Sequence, residues 1–171
     1  GAWGSYERWQ IYKEMLEKEN LDAVFIVTGY DENGKPTYPK LVIDCLKAGC
    51  HVWIEKPPAA SCKEIELMQE ASKKYNKNVM VGLKKMFFPA NEKAWELAYS
   101  EDFGKISLVQ LQYPQNIPTV SELEQYINLG KKTLSVTNFL DHLCHPASLM
   151  IYLLGFPTTL YYERSAYGAG F

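Results

Sequence analysis

The sequence lacks most of the features that would direct a protein to nucleic acid, to a membrane or outside the cell. Its 18 Lys and Arg residues are balanced by 20 Asp and Glu residues, so the net charge is only −2 and no basic surplus is present. No apolar run approaches the roughly 20 residues that span a bilayer. The four cysteines (Cys45, Cys50, Cys62 and Cys144) form no Cys-x-x-Cys pair, which favours a reducing environment over a disulfide framework. We therefore expect no nucleic-acid partner, no membrane and a cytoplasmic location.

The chain also lacks an initiator methionine and a dinucleotide-binding glycine turn. It begins at Gly1, with neither the basic segment nor the apolar segment of a signal peptide. No Gly-x-Gly-x-x-Gly is present, and the nearest glycine cluster, at residues 168–170, opens no helix. We expect the 171 residues to be a middle part of a longer protein, and to bind little dinucleotide alone.

Strand and helix patterns alternate through the first half of the chain. Apolar spacing predicts a helix over residues 5–20 and a second helix that places Leu41, Val42, Cys45 and Leu46 on one face and ends at Gly49. Ser61 with Glu64 predicts a capping box that opens a third helix, to about residue 76. Apolar runs predict buried strands over residues 21–28, 51–54 and 78–83. This alternation predicts an α/β fold with a parallel, doubly wound sheet and right-handed crossovers.

The second half has a different pattern, which predicts an α+β unit. Helices are predicted over residues 91–100, 121–129 and 141–154, and strands over residues 104–113 and 158–163. We place the boundary near Phe88, which divides the chain into residues 1–88 and 89–171.

Charged residues follow a buried strand directly at Glu55-Lys56-Pro57-Pro58. Ligands of open parallel sheets bind beyond the carboxyl ends of the strands, where residues 28–30, 55–57 and 82–85 are expected to meet. Proline cannot donate a ladder hydrogen bond, so it ends the strand and fixes the turn that carries Lys56. A purely structural interpretation, an ion-paired strand exit capped by prolines, explains the pattern equally well.

A second group of polar residues occurs at Asp141-His142-Leu143-Cys144-His145. Asp141 and His145 are four residues apart, so on a helix they share a face, and a carboxylate beside an imidazole suits general acid–base chemistry. Such pairs are also common on helix surfaces. Near-adjacent ligands on a helix cannot all point one way, so we predict no metal here.

Together these segments resemble the Gfo/Idh/MocA (glucose–fructose oxidoreductase and inositol dehydrogenase) family of NAD(P)-dependent dehydrogenases. The similarity runs from about Tyr6 to Pro157. It is carried by AGCHVWIEKP at residues 48–57, by VGLKKMFFP at residues 81–89 and by LDHLCHP at residues 140–146. The family departures include Gly29 for a usual proline, Tyr38 for a common histidine, and Lys84-Lys85-Met86 for a frequent Asn-Arg-Arg; Leu143 and Ser148 differ as well.

The resemblance implies a Rossmann-like cofactor part in residues 1–88 and the start of a substrate domain in residues 89–171. It implies that Lys56 contacts the substrate oxygen, that His145 is the general acid–base, and that Asp141 orients His145. It further implies a cis Lys56–Pro57 bond, and cofactor contacts from Thr28, Gly29, Glu55, Lys56, Pro57 and Lys84. The resemblance also implies that the cofactor is NAD or NADP, that the substrate is a sugar, cyclitol or related polyol, and that the full-length protein is a homo-oligomer.

Two alternatives stay open on the sequence. Because the departures could mark lost catalysis, the protein could be a member that binds a nucleotide or ligand without turning it over. An NAD-dependent glycosidase on the same fold is the other alternative.

Overall fold

A computed structural model of the chain describes residues 12–114, 117–130, 134–161, 163–165 and 168–170. It divides into two compact units, Gly1–Gly82 and Leu83–Phe171. The first part of the helix predicted over residues 5–20 lies outside the described residues, and its described part is α1 (Tyr12–Lys18). Among the described residues, no helix is both long enough and apolar enough to cross a membrane.

The first unit contains a three-stranded parallel sheet in the order β1-β2-β3. The strands are β1 (Ala23–Ile26), β2 (His51–Ile54) and β3 (Val79–Val81), and the helices α2 (Tyr38–Lys47) and α3 (Cys62–Tyr75) connect them. The register places Ile26, Ile54 and Val81 level with one another, so the three carboxyl ends lie at one edge. The predicted α/β class with a Rossmann-like parallel sheet is confirmed.

The core of this unit lies between one face of the sheet and the two connecting helices. Val42 and Leu46 of α2 and Ile54 of β2 are fully buried, because helical spacing and strand alternation direct them to the same side. On the opposite face of the sheet, the Phe25 and Trp53 rings lie 5.7 Å apart. Phe25 is 73% exposed, so the described part of this unit buries one face of its sheet far more than the other.

Residues at the helix ends explain where α2 and α3 stop and start. Gly49 has a φ of +86°, and the amides of Gly49 and Cys50 donate to the carbonyls of Leu46 and Cys45, as a glycine-ended helix requires. The predicted glycine cap is therefore confirmed. Cys45 is buried, as predicted, and burial raises the pKa of its thiol to about 11.

One of the two hydrogen bonds of the predicted capping box is present at the start of α3, and the amide that donates the other belongs to a neighbouring residue. Ser61 Oγ accepts a hydrogen bond from the amide of Glu64 at 3.3 Å. The Glu64 carboxylate accepts from the amide of Ala60 at 2.8 Å, one residue before the cap. Asn76, in the left-handed conformation, ends the helix.

The second unit consists mainly of helices. It contains a 3₁₀ helix (Lys84–Phe87), α4 (Pro89–Ala98), α5 (Val120–Leu129), α6 (Leu134–Leu154) and an antiparallel pair, β4 (Glu163–Ser165) with β5 (Gly168–Gly170). Thr119 and Glu122 form a complete capping box on α5. Helix α6 begins seven residues before its predicted start and continues through Pro146.

Both strands predicted in the second unit are wrong in position. Residues 104–114 are not in a strand, because no described segment pairs with them, and Leu108 is 80% exposed where alternation would have buried a residue. Residues 158–161 are likewise outside any strand, and pairing starts at Glu163. A strand needs a partner, which local apolar content does not reveal.

Candidate active site

The carboxyl end of β1 is tied to the start of α2. The buried Tyr38 side chain donates a hydrogen bond from its hydroxyl to the Thr28 carbonyl at 2.6 Å. Thr37 Oγ1 donates to the Gly29 carbonyl at 3.2 Å and lies 2.8 Å from Thr28 Oγ1. The predicted cofactor residues Thr28 and Gly29 are thus held by backbone contacts, and their side-chain positions remain exposed at the sheet edge.

The carboxyl end of β2 carries the charged strand exit. The Lys56–Pro57 peptide is cis, as predicted, and Glu55, Lys56 and Pro57 are half-buried. The Glu55 carboxylate accepts from the amide of Lys56 at 3.2 Å, so the carboxylate stabilises the turn itself. The first unit therefore brings together Thr28, Gly29, Glu55, Lys56 and Pro57 at one edge of the sheet.

Gly82, which follows β3, lies directly beside this exit. Its amide donates to the Ile54 carbonyl at 2.8 Å, which continues the ladder past β3. A Cβ at Gly82 would lie 2.9 Å from Trp53 Cζ2 and 3.4 Å from Glu55 Oε2. Only glycine therefore fits here without moving the Trp53 ring.

Lys84 and Lys85 are adjacent in the sequence but differ in their surroundings. Lys84, the predicted cofactor residue, lies on the 3₁₀ helix of the second unit and is exposed. Lys85 is half-buried, and its Nζ lies 5.1 Å from the centre of the Phe88 ring and 5.8 Å from that of Tyr113. The sequence alone could not tell which lysine packs inward.

The predicted acid–base pair lies on α6, with Asp141 one helical turn before His145. His145 is only 5% exposed, and Asp141 is half-buried. The intervening His142 is exposed, and its Nδ1 lies 2.8 Å from the Asn138 carbonyl. A carbonyl only accepts, so Nδ1 of His142 carries the proton in this contact.

The sequence reasoning missed Tyr113 as a neighbour of His145. The two ring centres are 6.5 Å apart, and the same tyrosine ring also contacts the Lys85 ammonium. The only signal in the sequence was a half-polar aromatic residue directly before Pro114, at the end of a segment that we predicted as a strand. No motif spacing marks it, because the contact is made by tertiary packing.

Among the described residues, no three His, Cys, Asp or Glu side chains are grouped as metal ligands would be. Cys144 Sγ donates to the Asp141 carbonyl at 3.0 Å, which is an ordinary helix contact. The His142 and His145 rings are 6.4 Å apart and close to perpendicular.

Comparison with known proteins shows what the chain is similar to in sequence. Residues 3–83 match the family model described as an oxidoreductase family with an NAD-binding Rossmann fold (GFO_IDH_MocA). The chain is 26% identical over 135 residues to trans-1,2-dihydrobenzene-1,2-diol dehydrogenase of Sus scrofa, covering 79% of this chain and 37% of the relative. It is 27% identical over 142 residues to myo-inositol 2-dehydrogenase of Thermotoga maritima, covering 83% of this chain and 39% of the relative. The chain thus spans well under half the length of these relatives.

Solved structures show the same fold. Myo-inositol 2-dehydrogenase from Lactobacillus plantarum superposes with a TM-score of 0.61 at 24% identity, over 86% of this chain and 41% of that one. Scyllo-inositol dehydrogenase from Lactobacillus casei, with bound NAD(H) and scyllo-inositol, gives a TM-score of 0.59 at 23% identity, over 85% and 41%. Residues 3–83 of the chain therefore match the Gfo/Idh/MocA oxidoreductase family.

Proposed function

We propose that the protein carrying this chain is an NAD(P)-dependent dehydrogenase that transfers hydride between the nicotinamide and an alcohol carbon of a sugar, cyclitol or related polyol. The observation that carries the proposal is the half-buried Glu55-Lys56-Pro57 exit at the carboxyl edge of a parallel sheet, inside the segment that matches the NAD-binding family. The named relatives act on an inositol or a ring diol, which supports a cyclic polyol as substrate.

The end of β1 suits the approach of a flat cofactor ring. A Cβ at Gly29 would meet no atom within 4 Å, so the backbone there is open, and the Tyr38 hydrogen bond holds it in place. We assign Thr28, Gly29, Glu55, Lys56, Pro57 and Lys84 to cofactor contacts. When bound, NAD(P) supplies the hydride acceptor, or the hydride donor in the reverse direction.

Removing hydride from an alcohol carbon also requires a base for the hydroxyl proton. We propose that the imidazole of His145 accepts that proton and that Asp141 orients the ring. The Lys56 ammonium would stabilise the alkoxide that develops on the substrate oxygen. A buried imidazole and a half-buried ammonium fit these roles, because partial exclusion of water strengthens both interactions.

We also propose that residues 1–88 contribute to the cofactor domain and residues 89–171 to the substrate domain. All four cysteines are free thiols in the structure, which supports a cytoplasmic location. The homo-oligomeric state is proposed from the family resemblance.

The proposed reaction is tested with Lys56→Ala and His145→Ala in the full-length protein, assayed for NAD(P)H formation on a panel of inositols and sugars. Each variant should lose about 10²- to 10⁴-fold in kcat/KM while circular dichroism shows an unchanged fold. The matched controls are Lys73→Ala on α3 and His142→Ala on α6, two exposed residues of the same types.

Wild-type rates in both active-site variants would contradict the assigned roles. Nucleotide binding without turnover of any panel member would instead favour a non-catalytic protein. Release of an aglycone without net cofactor reduction would favour a glycosidase.

A further inference from the structure

The environment of Lys85 is unusual among the described lysines. Its ammonium lies against two aromatic rings, those of Phe88 and Tyr113, and the side chain is half-buried. Within the described part of the chain, no carboxylate lies within 4.0 Å of it, as for most other lysines there, so the two ring contacts are what set Lys85 apart. Aromatic faces attract a cation but do not neutralise it, so Lys85 keeps a strong preference for an anion.

The backbone at Lys85 is anchored. Asn91 Nδ2 donates to the Lys85 carbonyl at 2.7 Å, and the Phe88 amide donates to the same oxygen at 3.3 Å. These contacts fix the 3₁₀ helix against the first turn of α4. The backbone that carries the Lys85 side chain is therefore fixed, and the two ring contacts hold the ammonium at its end, which is what a binding site requires.

The Tyr113 ring lies near both the Lys85 ammonium and the buried imidazole of His145. The tyrosine ring centre is 5.8 Å from Lys85 Nζ and 6.5 Å from the His145 ring centre. The ammonium and the imidazole are consequently no more than about 12 Å apart, a distance that a monosaccharide can bridge with one polar contact at each end. All three side chains belong to the second unit.

We propose that Lys85 and Tyr113 form an anion subsite of the substrate pocket, and that the substrate is a sugar or polyol bearing a carboxylate or a phosphate. This inference rests on the proposed function, because it takes His145 as the group that faces the reacting hydroxyl. The Lys85 ammonium pairs with the anionic substituent, and the Tyr113 hydroxyl supplies a further hydrogen-bond donor.

The test is equilibrium binding by calorimetry to the full-length protein. The probes are D-glucuronate and D-galacturonate, their neutral counterparts D-glucose and D-galactose, and the 6-phosphates of both sugars. We expect at least one anionic probe to bind at least about tenfold more tightly than its neutral counterpart, because hydrogen bonds between charged groups are stronger than those between neutral groups. A preference for the uronates identifies a carboxylate substrate, and a preference for the 6-phosphates identifies a phosphate.

Substitutions test whether Lys85 is the residue that causes the preference for anionic probes. Lys85→Met should abolish it, Lys85→Arg should retain it, and Lys93→Met, which removes an exposed lysine on α4, should leave it unchanged. Tyr113→Phe, which keeps the ring, should weaken anion binding several-fold without changing the thermal unfolding temperature. Equal binding of anionic and neutral probes, or a preference that survives Lys85→Met, would overturn the proposal.

Turnover of the same probes separates this inference from the proposed reaction. Binding that depends on Lys85 without NAD(P)-linked turnover supports the anion subsite and contradicts the dehydrogenase. Turnover of neutral sugars without a preference for anionic probes supports the dehydrogenase and contradicts the anion subsite.

Discussion

The contact between Gly82 and Trp53 makes Gly82→Ala an informative substitution. The added Cβ would lie 2.9 Å from Trp53 Cζ2, whereas carbon atoms pack favourably at about 3.5–4.0 Å. The indole ring must therefore move by at least about 0.6 Å. The Phe25 ring lies 5.7 Å from the Trp53 ring and is largely exposed, so the indole has room to move.

We expect Gly82→Ala to lower the free energy of unfolding by about 1–2 kcal/mol, within the lower part of the range for overpacking. The added Cβ would lie 3.4 Å from Glu55 Oε2, an ordinary contact distance, so the cost comes from the Trp53 ring. Urea unfolding of the full-length protein, followed by far-ultraviolet circular dichroism, measures the change.

Gly29→Ala is the matched control, because a Cβ there meets nothing within 4 Å. It should be neutral, or stabilising by up to about 1 kcal/mol through the unfolded chain. In a double-mutant cycle, Trp53→Phe should recover part of the Gly82→Ala loss, with a coupling of about 1 kcal/mol. A cost of Gly82→Ala no larger than that of Gly29→Ala, or a cycle without coupling, would contradict a steric clash between position 82 and Trp53.

Two further predictions concern contacts that hold α2 in place. Tyr38→Phe removes the hydroxyl that donates to the Thr28 carbonyl and should cost about 1 kcal/mol of unfolding free energy in a urea titration. The Asp44 carboxylate accepts from Lys40 and Tyr12, both at 2.7 Å, and these hydrogen bonds lower its pKa below the ordinary value of 3.8. Asp44 therefore contributes stability that is fully present above pH 3.8 and is lost as the pH falls through the lowered pKa of the folded state. The stability difference between wild type and Asp44→Asn should be constant near neutral pH and shrink in acid; a difference that persisted unchanged in acid would contradict this linkage.

The first half of the fold could be predicted because its signals are local. A run of β-branched residues bounded by turn residues predicts a strand, although Phe25 and Met80 are exposed in strands that the sequence predicts as buried. Gly49 and Ser61 mark helix ends through backbone and capping chemistry that needs no distant partner. The second half was predicted less well. Residues 104–113 have the composition of a strand, but pairing depends on a neighbouring segment that composition does not specify.

The residues of the candidate site also fall into two groups, those placed by local chain geometry and those placed by tertiary packing. The Glu55-Lys56-Pro57 exit and the spacing of Asp141 and His145 could be predicted from the sequence, because a strand end and a helical turn place residues that are close in the chain. Tertiary packing is what brings Tyr38 to Thr28, Gly82 to Glu55, and Tyr113 near both Lys85 and His145. Each of these contacts joins residues at least ten positions apart, and packing rather than local spacing selects such partners.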